Sequence, residues 1–136
     1  MFLQRVTDSL PPVGHTIILG DFNDDIRATP HTVIYPSLLE FTQCISSPTT
    51  SKATLLDHIY VRDHPSLWTA GVMHTYYSYH DITYYKFAKH WTLLCDARFK
   101  VENIETFDNS EKYCICIIAY STFDNNRTWH LLKTDI

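Results

Sequence analysis

Glycine is scarce, with three residues in 136, and there are six prolines, so neither a collagen-like repeat nor a linker-like stretch can be drawn. Long apolar runs are missing as well. None approaches the roughly 20 residues that cross a bilayer, which excludes a helical membrane span. Residues 1–20 lack the continuous apolar segment of a secretory leader, because Asp8, Pro11 and Pro12 separate Met1-Phe2-Leu3 from Thr16-Ile17-Ile18-Leu19. An intracellular protein, nuclear or cytoplasmic and not secreted, is expected. Basic charge is in deficit: 11 Lys and Arg stand against 15 Asp and Glu, for a net charge of −4. That argues against nucleic-acid binding through a broad field of the protein's own, so an anionic substrate would need a metal or a local cationic site. No second Cys/His pair at zinc spacing follows Cys114 and Cys116, and the four cysteines are expected to be reduced thiols.

What is present is 45% hydrophobic, 14% aromatic and 19% charged residues, the profile of one compact soluble domain. Phe2, Leu3, Val6 and Leu10 recur at helical spacing before Pro11-Pro12, which predicts a helix over residues 2–9. His15 to Leu19 reads as a buried strand, and Gly20 to Asp25 as a polar turn at its C-terminal end. A helix over Thr32 to Phe41 is predicted, with Pro36 in its first turn, then a loop over Ser46 to Lys52. Strands are predicted at Leu55 to Val61, Trp68 to Tyr77, Ile82 to Phe87 and Tyr113 to Tyr120, where Cys114 and Cys116 would share one face. Alternating strands and helices imply a layered α/β fold.

Three short motifs carry chemistry. In Ile17-Ile18-Leu19-Gly20-Asp21-Phe22-Asn23, a carboxylate and a carboxamide follow a buried strand two residues apart. Asp21 can ligate a divalent cation or hold an attacking water, and the Asn23 amide can donate to a phosphate oxygen. An Asp/Asn turn that merely ends a strand is the plainer reading. In Thr54-Leu55-Leu56-Asp57-His58-Ile59-Tyr60-Val61, Asp57 is set in an apolar strand, where a charge needs a partner unless the strand is an edge facing water. The third motif, Tyr76-Tyr77-Ser78-Tyr79-His80-Asp81-Ile82, presents one of eight histidines at a turn entering an aromatic-rich strand.

Taken in order, strand-GDFN, strand-LDHI and S-x-H resemble the C-terminal half of the endonuclease/exonuclease/phosphatase superfamily. The likeness is nearest to the apurinic-endonuclease-like nuclease domains of non-LTR retroelements, and Pro48-Thr49 ahead of Leu56-Asp57-His58-Ile59 belongs to it. It covers residues 2–88. It implies the C-terminal part of a four-layer α/β/β/α sandwich and a magnesium-assisted endonuclease or phosphodiesterase chemistry, with DNA as the ancestral substrate. By the same resemblance Asp21 and Asn23 act on the attacking water and the scissile phosphodiester, with Asp21 as the metal ligand. Asp57 then orients the final histidine, and His80 contacts the phosphate and stabilises its developing charge.

Two departures bear on activity. The family pattern before the final histidine is Ser-Asp-His, whereas here it is Ser78-Tyr79-His80, and a phenol is a poor magnesium ligand. The family also places an early Asn and its main metal-binding Glu in the half that precedes GDFN. Here 19 residues precede Gly20, none of them Glu or Asn, and the first Glu is Glu40. The expectation is therefore a partial nuclease-like domain over 1–88, inactive in isolation, followed by an unassigned tail over 89–136 with one or two strands. The alternative is a non-enzymatic interaction domain that binds a protein or self-associates through an exposed sheet face carrying Tyr76, Tyr77, Tyr84 and Tyr85.

Overall fold

His15–Asp21 forms strand β1 in the computed structural model, which describes in full residues 15–64, 67–75 and 79–87, together with Asp8. It also describes the backbone of strands at 91–95, 101–102, 115–121 and 128–134. Six of the seven β1 residues are buried, as expected for a strand centred on Ile17-Ile18-Leu19 and covered on both faces. On one side β1 pairs antiparallel with β3 (Asp57–Arg62), Leu19 lying opposite Ile59 and Asp21 opposite Asp57. On the other it runs parallel to Ile115–Ser121. With Thr42–Gln43 as β2, Ile115–Ser121 as β8 and Thr128–Thr134 as β9, the sheet order is β2-β3-β1-β8-β9. A second, antiparallel sheet has the order β4-β5-β6-β7, formed by Trp68–Met73, Ile82–Phe87, Trp91–Cys95 and Val101–Glu102.

The two-residue side-chain period sorts the core into two clusters. Ile17 and Leu19 of β1 and Ile59 and Val61 of β3 point towards the second sheet and pack with Tyr85 and Phe87 of β5, with Ile45 and Leu55 beside them. Ile18 and Tyr60, one residue out of phase, face the other way and pack with Phe22, Tyr35, Leu38 and Phe41. A short helix α1 (His31–Ile34) and a 3-10 turn (Pro36–Leu38) supply part of that outer cover. The single helix predicted over Thr32 to Phe41 is thus divided. Pro36 lacks an N–H and disfavours helical geometry in the residue before it, and Tyr35 sits at φ −124°, ψ 70°.

Strands dominate the described residues and helix is sparse, so the architecture is mostly sheet rather than an even α/β alternation. Four strands follow residue 88, where one or two were expected, and β8 lies directly against β1. β5 matches its expected bounds, while β4 ends at Met73 rather than Tyr77. The tyrosine-rich exposed face needs correction at Tyr85, which is fully buried because Thr83, Tyr85 and Phe87 form the inward set of β5. Tyr84 lies on the opposite face, half-buried, and its ring fills the space above Gly71, where an added Cβ would meet the Tyr84 hydroxyl at 2.7 Å. Tyr76, Tyr77, Cys114 and the predicted helix, apart from Asp8, lie outside the described residues. Among the described residues no helix is long and apolar enough to cross a membrane.

Candidate functional site

The odd-numbered residues of β1 and β3 that face the second sheet lead, at one end of the strand pair, to Asp21 and Asp57 in direct register. Two carboxylates opposite one another on adjacent strands repel, so the arrangement calls for a cationic neighbour. The chain before Asp21 passes through Gly20 at φ 144°, a backbone region that an L side chain rarely enters. After it, Asn23 adopts φ 54°, and its N–H donates to Asp21 Oδ1 at 2.9 Å. Asn is the residue type that tolerates this left-handed geometry, so the GDFN segment turns tightly with the Asp21 carboxylate held against its own backbone.

His80 arrives from the second sheet. The segment before β5 lies antiparallel to the loop at 49–51. Ser51 N–H donates to Tyr79 O at 3.0 Å, Asp81 N–H donates to Thr49 O at 2.7 Å, and Thr50 bridges His80. This pairing aims the His80 ring at both aspartates. Its Nδ1 lies 2.7 Å from Asp57 Oδ2, and its Nε2 lies 3.7 Å from Asp21 Oδ2. Asp57 is therefore not an edge-strand residue facing water: it is 4% exposed, in a strand flanked by β2 and β1. Asp81 turns elsewhere, accepting from the Thr75 N–H at 2.9 Å and pairing with His74 Nδ1 at 3.0 Å.

The charges act on each other. Burial and the neighbouring Asp57 push the Asp21 carboxyl above its ordinary range, against the opposing pull of the Asn23 N–H and His80. The Asp57 hydrogen bond, reinforced by the charges of Asp57, Asp21 and Asp81, raises the His80 pKa above 6.5 although burial opposes it. Two carboxylates face a single histidine here, a donor set suited to a cation.

Asp21, Asp57 and His80 each offer a ligand atom, and these atoms lie within 4.8 Å of one another, so the group could hold a metal ion. Both carboxylates also face His80, Asp57 at hydrogen-bond distance and Asp21 at 3.7 Å. Asn23, the fourth residue singled out from the sequence, adjoins the cluster through its backbone bond to Asp21 and has an exposed side chain. Tyr79 stands beside the group, 43% exposed, with its ring edge-to-face on His80 at 5.2 Å.

Two residues that the motifs contain but to which sequence reasoning assigned no role hold this geometry. Thr49 is fully buried, and its Oγ1 accepts from the N–H groups of both Leu56 and Asp57 at 3.1 Å. One hydroxyl therefore fixes the backbone at the start of β3, while the Thr49 carbonyl holds Asp81. His58, also fully buried, stacks on Phe22 at 4.7 Å. Its Nε2–H donates to Asp24 O at 2.9 Å and Leu55 O at 3.0 Å, which leaves Nδ1 to accept from the Tyr60 hydroxyl at 3.0 Å. Burial pulls its pKa down, so this ring is neutral and acts as a bolt between the GDFN turn and β3. Asp25 adds a further tie, accepting from Leu55 N–H at 3.0 Å. No protein-family model, curated protein or solved structure matches the chain.

Proposed function

We propose that the site handles a phosphodiester, as the phosphate-facing part of a metal-dependent nuclease of the endonuclease/exonuclease/phosphatase type, with DNA as the substrate class and the retroelement nucleases as the nearest resemblance. One observation carries the reading. Residues from three separate motifs, Asp21, Asp57 and His80, converge on one point at the rim between two sheets, with a spacing that admits a cation. The two facing sheets with a helical segment outside one of them are the arrangement expected of part of an α/β/β/α sandwich.

Each residue has a role that its surroundings support. With Nδ1–H committed to Asp57, His80 presents Nε2–H towards the space beside Asp21, where a phosphate oxygen would gain a charge-assisted donor. Asp57 keeps that ring oriented and favours its protonated form. Asp21, its basicity raised by burial and by Asp57, is placed to accept the proton of an attacking water or to orient it. The Asn23 side-chain amide, at the mouth of the turn, would donate to another phosphate oxygen. Magnesium, held mainly by Asp21 and otherwise hydrated, would supply charge stabilisation on the phosphate and a more acidic bound water.

No glutamate among the described residues joins this group, and Glu40 is exposed elsewhere. A hard octahedral cation held by so few of the described carboxylates binds weakly, so this site is expected to bind without efficient turnover. The test is a pair of measurements. Magnesium-dependent nicking of plasmid or abasic DNA should stay at background. Manganese should selectively broaden the NMR signals of His80 and its neighbours, an effect lost in Asp21→Ala. Failure of manganese to reach these signals, together with no response of them to a phosphodiester, would remove the proposal.

A further inference from the structure

Resting on the phosphodiester reading of the His80 site, we infer that Tyr79 is a stacking platform for a nucleobase next to the bound phosphate, and that the substrate is engaged as a single strand or with an unstacked base. Three observations converge on this residue. The first is its place: Tyr79 precedes His80 directly, and its ring stands edge-on to the His80 ring at 5.2 Å and 82°. A phosphate held at His80 therefore has an aromatic face within reach of an adjoining nucleotide.

The second is that the ring is presented rather than stored. Tyr79 is 43% exposed, and its ring contact among the described residues is the one with His80. Among the described residues the other comparably open Trp, Tyr or Phe ring, Trp68 at 39%, already stacks on His64 at 4.2 Å. Exposing a tyrosine face to water beside a polar cluster brings no folding gain, whereas base stacking on such a face is strong and tolerant of sequence.

The third is backbone rigidity. The Tyr79 carbonyl accepts from Ser51 N–H at 3.0 Å, and the two residues that follow, His80 and Asp81, are paired with Thr50 and Thr49. The ring is thus carried on a backbone tied down at Tyr79 itself and at the two residues after it, which limits the ordering cost of binding. The exposed Lys52 follows Ser51, the residue whose N–H holds the Tyr79 carbonyl, and adds a cationic side chain to the paired loop. A duplex keeps its bases stacked on one another and offers this ring no face, so the geometry favours an unpaired or extruded nucleotide.

The test compares two probes in the presence of magnesium: a thymine dinucleotide, and a dinucleotide of the same backbone with both bases removed. Wild-type protein should bind the base-bearing probe more tightly. Tyr79→Ala should weaken that binding roughly fivefold to a hundredfold and leave the abasic probe unchanged, while Tyr79→Phe should retain wild-type affinity for both. His80→Ala should weaken both probes. Equal loss for both probes in Tyr79→Ala would mean a purely structural role and would overturn the inference, as would no loss at all. If His80→Ala alters neither probe, the phosphodiester site itself falls and Tyr79 with it. Loss in His80→Ala with none in Tyr79→Ala removes only the stacking platform.

Discussion

Asp57 and His80, 23 residues apart in the chain, are joined by a 2.7 Å hydrogen bond in which the imidazole Nδ1–H faces a buried carboxylate. The bond settles which ring nitrogen points outward, and hence which atom can meet a substrate. It also resolves the cost of placing a carboxylate in an apolar strand, since removing either partner would leave the other buried and poorly compensated.

Replacing Asp57 by Asn should lower the His80 pKa, because the amide still accepts a hydrogen bond but carries no charge. His80 is raised in the folded state chiefly by this bond. Its contribution to stability is therefore complete below the unfolded value of about 6.5 and is lost as pH rises through the raised value. An NMR titration of the His80 ring checks the first point, and urea unfolding at several pH values checks the second. An unchanged ring titration in Asp57→Asn would show that the contact does not set the charge.

The parts of this arrangement that were legible in the sequence are those encoded locally. β1, β3 and β5 announce themselves as apolar or β-branched runs, and the polar turn after Leu19 was visible from Gly20-Asp21-Phe22-Asn23. The Asp57 and His80 pairing was accessible through motif resemblance together with the cost of a lone buried charge. The parallel register of β1 with β8 was not, because it joins segments about a hundred residues apart and leaves no local periodicity. Tyr85 misled for a different reason. A tyrosine in a strand reads as amphipathic, but its hydroxyl lies 3.2 Å from His15 Nε2 and 3.0 Å from His64 Nδ1, which permits full burial. Thr49, in a stretch of turn formers, gives no sign of being a buried acceptor for two backbone donors.

Thr49→Ala should destabilise the fold by about 1–3 kcal/mol, since the Leu56 and Asp57 N–H groups lose their shared acceptor in a buried setting. Thr49→Ser keeps the oxygen and should recover most of that loss. Chemical denaturation of the three proteins measures it. The same series should disturb the His80 ring signal in Ala but not in Ser, because the Thr49 hydroxyl fixes the backbone of Asp57, which in turn holds the His80 ring.

Acid should weaken the fold through His15. Burial, with a smaller contribution from the neighbouring His64 and against the pull of Asp63, lowers its pKa from 6.5 to about 4. Tyr85 and Phe87 of β5 enclose the ring. Between these values the unfolded chain takes up a proton that the folded one refuses, so stability falls as pH drops from about 6.5 to about 4 and levels below that. The loss attributable to His15 should reach up to about 3 kcal/mol. His15→Gln, which keeps a polar side chain towards Tyr85, should flatten that slope relative to wild type in urea unfolding at about pH 7 and about pH 4.5. Parallel slopes in the two proteins would place the acid sensitivity elsewhere.

Asn23 separates backbone from side-chain function. Its φ of 54° suits glycine at least as well as asparagine, and the N–H that binds Asp21 Oδ1 belongs to the main chain. Asn23→Gly should therefore preserve the turn, the Asp21 contact and stability to within about 0.5 kcal/mol, while removing the amide proposed to meet a phosphate oxygen. Asn23→Ala removes the same amide but adds a Cβ in a left-handed conformation, at a cost of about 1 kcal/mol or more. Both variants should weaken phosphodiester binding to a similar degree, and only Ala should lower stability. Isothermal titration with the dinucleotide and urea unfolding of the three proteins distinguish the two effects. Full binding by Asn23→Gly would show that the side chain takes no part and that the residue is present only for its backbone conformation.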